Sequence, residues 1–216
     1  MTTVPADPKI YHITHLNNLP GIIEAGMIYS DAECRRRCLG CDVVGMSAIK
    51  QRRLTELVVN CYPETKVGEY VPFYFCPRSI MLYILHMGNH PDLTYREGQR
   101  PIVHLQADLR TVVQWADEHQ VKWVFSDCNA GTYYARFYRE YTALDNLNWE
   151  AFSSTDFRDD RIKNAKQAEF LLFDAFPWAL VEEVGVIDNE IAGSVAETLK
   201  GASRCPLITV KRDWYF

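Results

Sequence analysis

Three cysteines carry the most literal motif in the chain. Cys34, Cys38 and Cys41 are separated by three and by two residues, the spacing with which three thiolates hold a 4Fe–4S cluster in radical enzymes. That chemistry ordinarily follows the first strand of a (β/α) barrel. Here the triplet lies among arginines in a stretch without hydrophobic period, in a chain of 216 residues that is short for a barrel. Plain loop thiols are the expectation, with an iron–sulfur or zinc site as the alternative, and no metal is expected to take part. His86 and His90 have the four-residue spacing that can put two imidazoles on one helix face. Gly88 lies between them, Pro91 follows and no glutamate follows His86, so a helix end with exposed histidines is expected. A Gly-x-Ser-x-Gly elbow and a Walker sequence are both missing from the sequence.

Four other segments combine into a more specific pattern. In Tyr11-His12-Ile13-Thr14-His15 the period of two places His12 and Thr14 on one strand face, where two neutral hydrogen-bonding groups can grip a ribose or an amide. Val71-Pro72-Phe73-Tyr74-Phe75-Cys76-Pro77-Arg78-Ser79 is an aromatic strand running into a helix start. Ser79 and Tyr83, four apart, share a helix face in this reading, so a flat amide could stack on the tyrosine and bond to the serine. In Lys166-Gln167-Ala168-Glu169-Phe170-Leu171-Leu172-Phe173 the carboxylate of Glu169 shares a strand face with Leu171 and Phe173. A charge on an apolar face is costly unless it is paired or working. The fourth segment is the helical stretch from Ile49 to Val58. At about 100° per residue from Ile49, Leu57 falls near 80° and Leu54 near 140°; Arg53, near 40°, lies inside that apolar arc and Arg52, near 300°, outside it. Arg53 is expected to point inward and Arg52 to be solvated. Lys50 also falls in the arc but sits close enough to the helix start to escape.

Together these segments resemble the DarT family of bacterial toxins, which are DNA ADP-ribosyltransferases. The resemblance spans almost the whole chain, through Phe176-Pro177-Trp178-Ala179-Leu180 to the terminal Arg212-Asp213-Trp214-Tyr215. It implies the ADP-ribosyltransferase fold, NAD as cosubstrate, single-stranded DNA as acceptor, thymine as the modified base and a macrodomain antitoxin that reverses the mark. Glu169 matches the catalytic glutamate, and Arg53 the arginine thought to act on the acceptor base and to border the cofactor. His12, Ile13 and Thr14 match the NAD-contacting strand, with Gly21 and Tyr29 where the family lines the cofactor cleft; Tyr74, Ser79 and Tyr83 are added as cofactor contacts. The segment from about 30 to 53 matches the element that folds over NAD, and that from about 128 to 168 the substrate-recognising loop. For DNA the candidates are Arg35, Arg36, Arg37 and Lys50 as phosphate contacts and Tyr133, Tyr134 and Trp149 as stacking platforms. An enzyme of the same fold acting on RNA or protein, or a non-catalytic single-strand binder, is the alternative.

The elements that must position these residues are short. Strands are expected at Tyr11–His15, Val71–Cys76, Pro101–Ala107, Val121–Phe125, Gln167–Phe173, Val181–Ile187 and Leu207–Lys211. Helices are expected from Asn17 or Asn18 to Gly26, at Ala48–Val59, from Pro77, from the cap Asp108 to His119, at 131–147 and at Asn189–Lys200. Residues 30–47 and 148–165 read as loops. Strands outnumber long helices and no βαβ rhythm is visible, so the fold class is α+β around a split, mixed or antiparallel sheet with flanking helices, in one domain spanning 1–216.

Composition sets the outer bounds. Hydrophobic residues make up 48% and charged residues 24%, ordinary values for a globular chain. Scaling by mass gives burial of about 70% of the unfolded surface, enough for a core without staples. Twenty-three basic against 28 acidic residues leave a net charge of −5, which excludes a protein that coats nucleic acid through its overall field. Six cations between residues 34 and 53 face only Asp42 within that window, so a basic patch on an acidic body is expected, suited to a defined anionic ligand. Seven cysteines, an odd number, do not suggest a secreted disulfide scaffold. The N-terminus lacks a leader pattern, and the apolar run from Ile80 to Leu85 is too short to cross a bilayer. A cytoplasmic protein with no membrane partner is expected.

Overall fold

The computed structural model describes residues 3–40 and 42–216, so Cys41 lies outside the described residues. The elements in chain order are β1 Lys9–His15, α1 Leu19–Ala25, β2 Met27–Tyr29, α2 Asp31–Arg36, α3 Ser47–Thr55, β3 Val58–Val59, β4 Tyr62–Lys66, β5 Tyr70–Tyr74, α4 Ile80–Met87, β6 Ile102–Asp108, α5 Leu109–Glu118, β7 Trp123–Asn129, β8 Phe137–Tyr138, α6 Trp149–Ser153, α7 Asp160–Ala165, β9 Ala168–Phe173, β10 Ala175–Pro177, β11 Glu183–Val186, α8 Asn189–Thr198 and β12 Leu207–Val210. The main sheet runs β12-β11-β6-β1-β5-β9-β7-β8. The edge pair β11–β12 is parallel; the neighbours β1–β6, β5–β9 and β7–β9 are antiparallel.

The expected α+β architecture with a split sheet is what forms. β1 pairs with β6 along its full length, from Lys9↔Asp108 to His15↔Ile102. With β5, on its other side, the register is Tyr11↔Tyr74 alone. Beyond that point β1 and β5 part, and a cleft opens between His12–Thr14 and the β5–β9 half. The alternation of β9 then sorts its side chains. Ala168, Phe170 and Leu172 enter the main core with Phe73, Phe125 and Phe176. Leu171 packs on the opposite face with Val67, Tyr70 and Val124, and Glu169 shares that face at the cleft end of the strand.

Where the expected elements fail to form, a local competitor wins. Residues 30–47 contain the helix α2, because the Ser30 hydroxyl accepts from the Glu33 N–H at 3.2 Å, a Ser-x-x-Glu start visible in the sequence. The helix expected over Ala48–Val59 stops at Thr55; Val58 and Val59 leave it to pair with β4, and Leu57 and Val59 are buried beside Val67. Gly68 fixes how closely α3 docks, since a Cβ there would lie 2.9 Å from the Leu54 Cα. Pro77 does not open α4. Ser79 caps it, accepting from the Leu82 N–H at 3.2 Å. The span 131–147 is not one helix: Phe137 and Tyr138 pair with Ser126 and Phe125 as an edge strand, followed by a 3-10 segment at Tyr141–Asn146. Nor is 148–165 merely a polar loop, since Asn148 and Asp159 cap α6 and α7 and Trp149, Ala151 and Phe152 are buried. Asp108 does cap α5, accepting from the Thr111 N–H at 2.7 Å. Gly26 ends α1 in the left-handed region at φ 65°. Asn18 stands at the start of α1 without capping it; its amide bonds Thr14 Oγ1 and the Asp42 carbonyl instead.

Candidate active site

A cleft of about 380 Å³ opens where β1 and β5 diverge, a volume within the range of small-molecule and cofactor sites. His12, Ile13 and Thr14 of β1, Gly21 of α1, Tyr29 of β2, Arg53 of α3, Tyr74 of β5 and Glu169 of β9 all line it. The segment from Asp31 to Arg53 supplies much of one wall. Asn129 and Gln167 close the Glu169 end. Six of the seven cysteines fall among the described residues. Cys34 lines the cleft and Cys38 is exposed.

The centre of the site is an ion pair. Arg53 Nη1 donates to Glu169 Oε1 at 3.0 Å and Nη2 to Oε2 at 2.8 Å. The side chains are 13% and 3% exposed, so each charge depends on the other rather than on water. Burial pulls the Arg53 pKa down, but the charge and hydrogen bonds of Glu169 outweigh it and hold the pKa above its ordinary value. Glu169 Oε1 also accepts from the Ala130 N–H at 3.2 Å. Tyr74, opposite Glu169 in the β5–β9 register, stays a phenol: burial, then the Glu169 charge, raise its pKa. The helical phase that turned Arg53 inward holds, as does the solvated Arg52, whose side chain is 39% exposed.

His12 is half-buried, and its loss of solvation lowers its pKa. Its Nδ1 lies 2.8 Å from the Pro72 carbonyl oxygen. A carbonyl can only accept, so Nδ1 carries the proton and Nε2 keeps a lone pair. Thr14 Oγ1 accepts from Asn18 Nδ2 at 3.0 Å. The cleft therefore offers a neutral acceptor on β1 and a paired carboxylate on β9.

Several residues expected at the site sit elsewhere. Ser79 and Tyr83 are not in the cleft wall; the wall takes Ile80, Met81 and Ile84 from α4. The Ser79 hydroxyl is spent as a helix cap, and Tyr83 stacks on Phe157 with ring centroids 6.0 Å apart. Trp149 is a core residue, T-shaped against Phe75 at 5.6 Å with its indole N–H on the Leu144 carbonyl, so it is no open stacking platform. Tyr133 and Tyr134 are open, 76% and 71% exposed. The Tyr133 hydroxyl donates to Glu56, and Arg52 lies 5.1 Å above its ring. Lys50 does not escape to the helix end. It lines the cleft and pairs with Asp31 at 2.8 Å.

The basic patch is largely neutralised. Arg36 and Arg37 converge on Glu33, Lys50 meets Asp31, Arg52 faces Glu56 and Arg53 holds Glu169. Arg35 donates to the Gln51 amide oxygen at 2.9 Å. All of these partner carboxylates lie outside residues 34–53. Asn129, Ala130 and Gln167, at the Glu169 end of the site, are absent from the sequence-based candidates. The Asn-Ala-Gly run at 129–131 is the available signal of a side-chain-built turn. His86 is exposed on the last turn of α4 and stacks on Phe216, and His90 lies beyond the helix end at Gly88. Among the described residues no cluster of three or more His, Cys, Asp or Glu could hold a metal, and no helix is long and apolar enough to cross a membrane.

A split mixed sheet with an arginine-held carboxylate at the inner end of a cofactor-sized cleft defines the class: this is an ADP-ribosyltransferase fold. Comparison with known proteins narrows it. Residues 11–216 match the family model described as ssDNA thymidine ADP-ribosyltransferase, DarT. A DNA ADP-ribosyl transferase of Thermus sp. (strain 2.9) is 35% identical, with 99% of each chain covered. One of Thermus aquaticus is 39% identical over 98% of this chain and 90% of that one. The structure of Thermus sp. 2.9 DarT in complex with ADP-ribosylated ssDNA is 34% identical and superposes with a TM-score of 0.88, covering 100% of this chain and 99% of that one. The chain belongs to the DarT family, and with it to the NAD-dependent DNA ADP-ribosyltransferases.

Proposed function

We propose that this protein transfers ADP-ribose from NAD to thymine bases of single-stranded DNA, as the toxin of a toxin–antitoxin pair in the cytoplasm, and that the Arg53–Glu169 pair is its reaction centre. The observation that carries the residue assignment is the buried, bidentate pair at the point where the sheet splits. Support for the cosubstrate comes from the solved complex of Thermus sp. 2.9 DarT with NAD+, which superposes with a TM-score of 0.83 at 34% identity, covering 99% of this chain and 100% of that one.

NAD, when bound, brings the ADP-ribosyl group and a nicotinamide leaving group. Glu169 accepts a hydroxyl of the nicotinamide ribose and opposes the positive charge that grows at the anomeric carbon as the glycosidic bond breaks; a fixed anion in a partly dry site is effective there. His12 offers its Nε2 lone pair to a second hydroxyl. Lys50, placed in the cleft wall, faces the diphosphate rather than the DNA. Arg53 is a poor base as a guanidinium, so its role toward the acceptor is to stabilise the thymine ring as its N–H proton passes to solvent water and the ring nitrogen takes the anomeric carbon that nicotinamide leaves. A base inside a duplex is out of reach, which favours single strands. Tyr133 and Tyr134 offer open rings for neighbouring bases. The macrodomain antitoxin remains part of the proposal. A relative from Thermosipho africanus, 25% identical over 90% of this chain and 46% of its own length, is a DNA ADP-ribosyl transferase–DNA ADP-ribosyl glycohydrolase fusion protein, which fits a partner that removes the mark.

Labelled NAD, offered with matched thymine-rich DNA, uracil-rich RNA and a protein mixture, tests the reading. Label is expected in DNA alone, and none with Glu169→Ala. Transfer by that variant at the parent rate removes Glu169 from the chemistry, and label in RNA or protein instead moves the acceptor to the alternative class.

A further inference from the structure

We infer that Asn129 is a positioning residue for the transfer, setting which oxygen of Glu169 is free to meet the ribose; the inference rests on the assignment of Glu169 above. β7 and β9 pair through Phe125↔Phe170 and meet again at Asn129↔Ala168. Four steps on β7 therefore match two on β9, and β7 bulges beside the cleft. Bulges re-aim neighbouring groups. Ser126 ties this one down. Its hydroxyl donates to the Cys128 carbonyl at 2.6 Å and accepts from the Glu169 backbone N–H at 3.1 Å.

Asn129 stands where the bulge ends. Its Oδ1 accepts from the Gly131 N–H at 2.7 Å, closing a side-chain-built turn. Its Nδ2 donates to Gln167 Oε1 at 3.0 Å, and Gln167 is anchored in turn on the Lys163 carbonyl. The turn leaves the amide between the two bonded residues, that of Ala130, directed at Glu169 Oε1 at 3.2 Å. Ala130 is buried, so this amide has no water to turn to.

The consequence is a matter of lone pairs. An ionised carboxylate has about four acceptor positions, two on each oxygen. Arg53 occupies one on Oε1 and one on Oε2, and Ala130 takes the second on Oε1. One position remains, on Oε2. A ribose hydroxyl can then be held in a single orientation. Without the Asn129 turn the Oε1 position opens as well, and the sugar gains a second, unproductive pose.

Kinetics of Asn129→Ala and Asn129→Ser, with thermal melts of both, test this. Asn129→Ala is expected to lower kcat by about 10- to 100-fold, the scale of one lost hydrogen bond to a charged group, while KM for NAD stays within about twofold and Tm holds. Asn129→Ser is expected to recover much of the rate, because a serine hydroxyl can accept from the amide two residues on. A parental kcat in Asn129→Ala overturns the inference, as does a fall in kcat matched by a fall in Tm with no recovery in Asn129→Ser. Glu169→Gln in the same series separates the two assignments. If it transfers at the parent rate, the reading of Glu169 itself fails. If it is inactive while Asn129→Ala is unimpaired, only the positioning role fails.

Discussion

On the outer side of α2, Arg36 and Arg37 converge on Glu33 at 2.6 and 2.9 Å, with the arginine side chains 69% and 45% exposed. In the cleft, Arg53 closes on Glu169 at 2.8 Å with its side chain 13% exposed. The functional groups and distances are nearly the same, and the surroundings are not. Water reaches the outer arginines, although the Glu33 carboxylate between them is itself only 8% exposed, so the screening acts from the cation side alone. The inner pair has no such outlet, so removing one partner strands a buried charge. What separates the two clusters is the solvent each retains. The outer cluster steadies the last turn of α2; the inner one, on the proposed assignment, holds a negative charge where a positive one must develop.

Substitutions on either side of that contrast should behave very differently. The largest effect is expected from Arg53→Ala. Glu169 then loses its counter-charge, at a cost of about 3–5 kcal/mol for a broken buried pair, and transfer to DNA falls by about 100-fold or more. Affinity for NAD is expected to stay close to that of the parent by calorimetry; a collapse in NAD affinity equal to the loss of transfer would move Arg53 from the acceptor to the cosubstrate. Tyr133→Ala comes next. Losing one stacking ring costs about 1–3 kcal/mol per base, so KM for the oligonucleotide is expected to rise by about tenfold with kcat nearly intact. An unchanged KM removes the tyrosine from the acceptor path. The smallest effect belongs to Glu33. Its hydrogen bonds from Arg36 and Arg37 hold its pKa down to about 2. A depressed carboxylate stabilises the fold at and above its ordinary pKa of 4.5, and that contribution is lost as pH falls through about 2. Carbon-detected NMR is expected to place the Glu33 midpoint near 2, and Glu33→Gln to leave transfer within about twofold. A midpoint near 4.5 would mean the outer cluster is open in solution, leaving Arg36 and Arg37 free to meet phosphates.

Much of this site is legible in the sequence, though not the reason it works. Period-two alternation exposes the faces of β1 and β9, and a helical phase of about 100° per residue turns Arg53 inward. Neither says what Arg53 meets, since Glu169 lies 116 residues away. A charge count over a short window makes the arginine segment look more basic than it is, because Glu33 and Asp31 stand just outside it. Aromatic residues between 131 and 147 look like one amphipathic helix. The structure divides them into an edge strand at Phe137–Tyr138 and the two open rings of Tyr133 and Tyr134, which burial and pairing decide and spacing does not. Ser79 has the chemistry to hold an amide, yet it serves as a cap, the commoner use of a serine before a helix.

Tandem mass spectrometry of a thymine-containing single-stranded oligonucleotide, after incubation with the protein and NAD, bears on the transfer itself. The oligonucleotide is expected to gain the mass of one ADP-ribose, with fragments that keep it on a thymine base. Consumption of NAD with the oligonucleotide unmodified, or an added mass that fragments place on a terminal phosphate, would contradict base transfer.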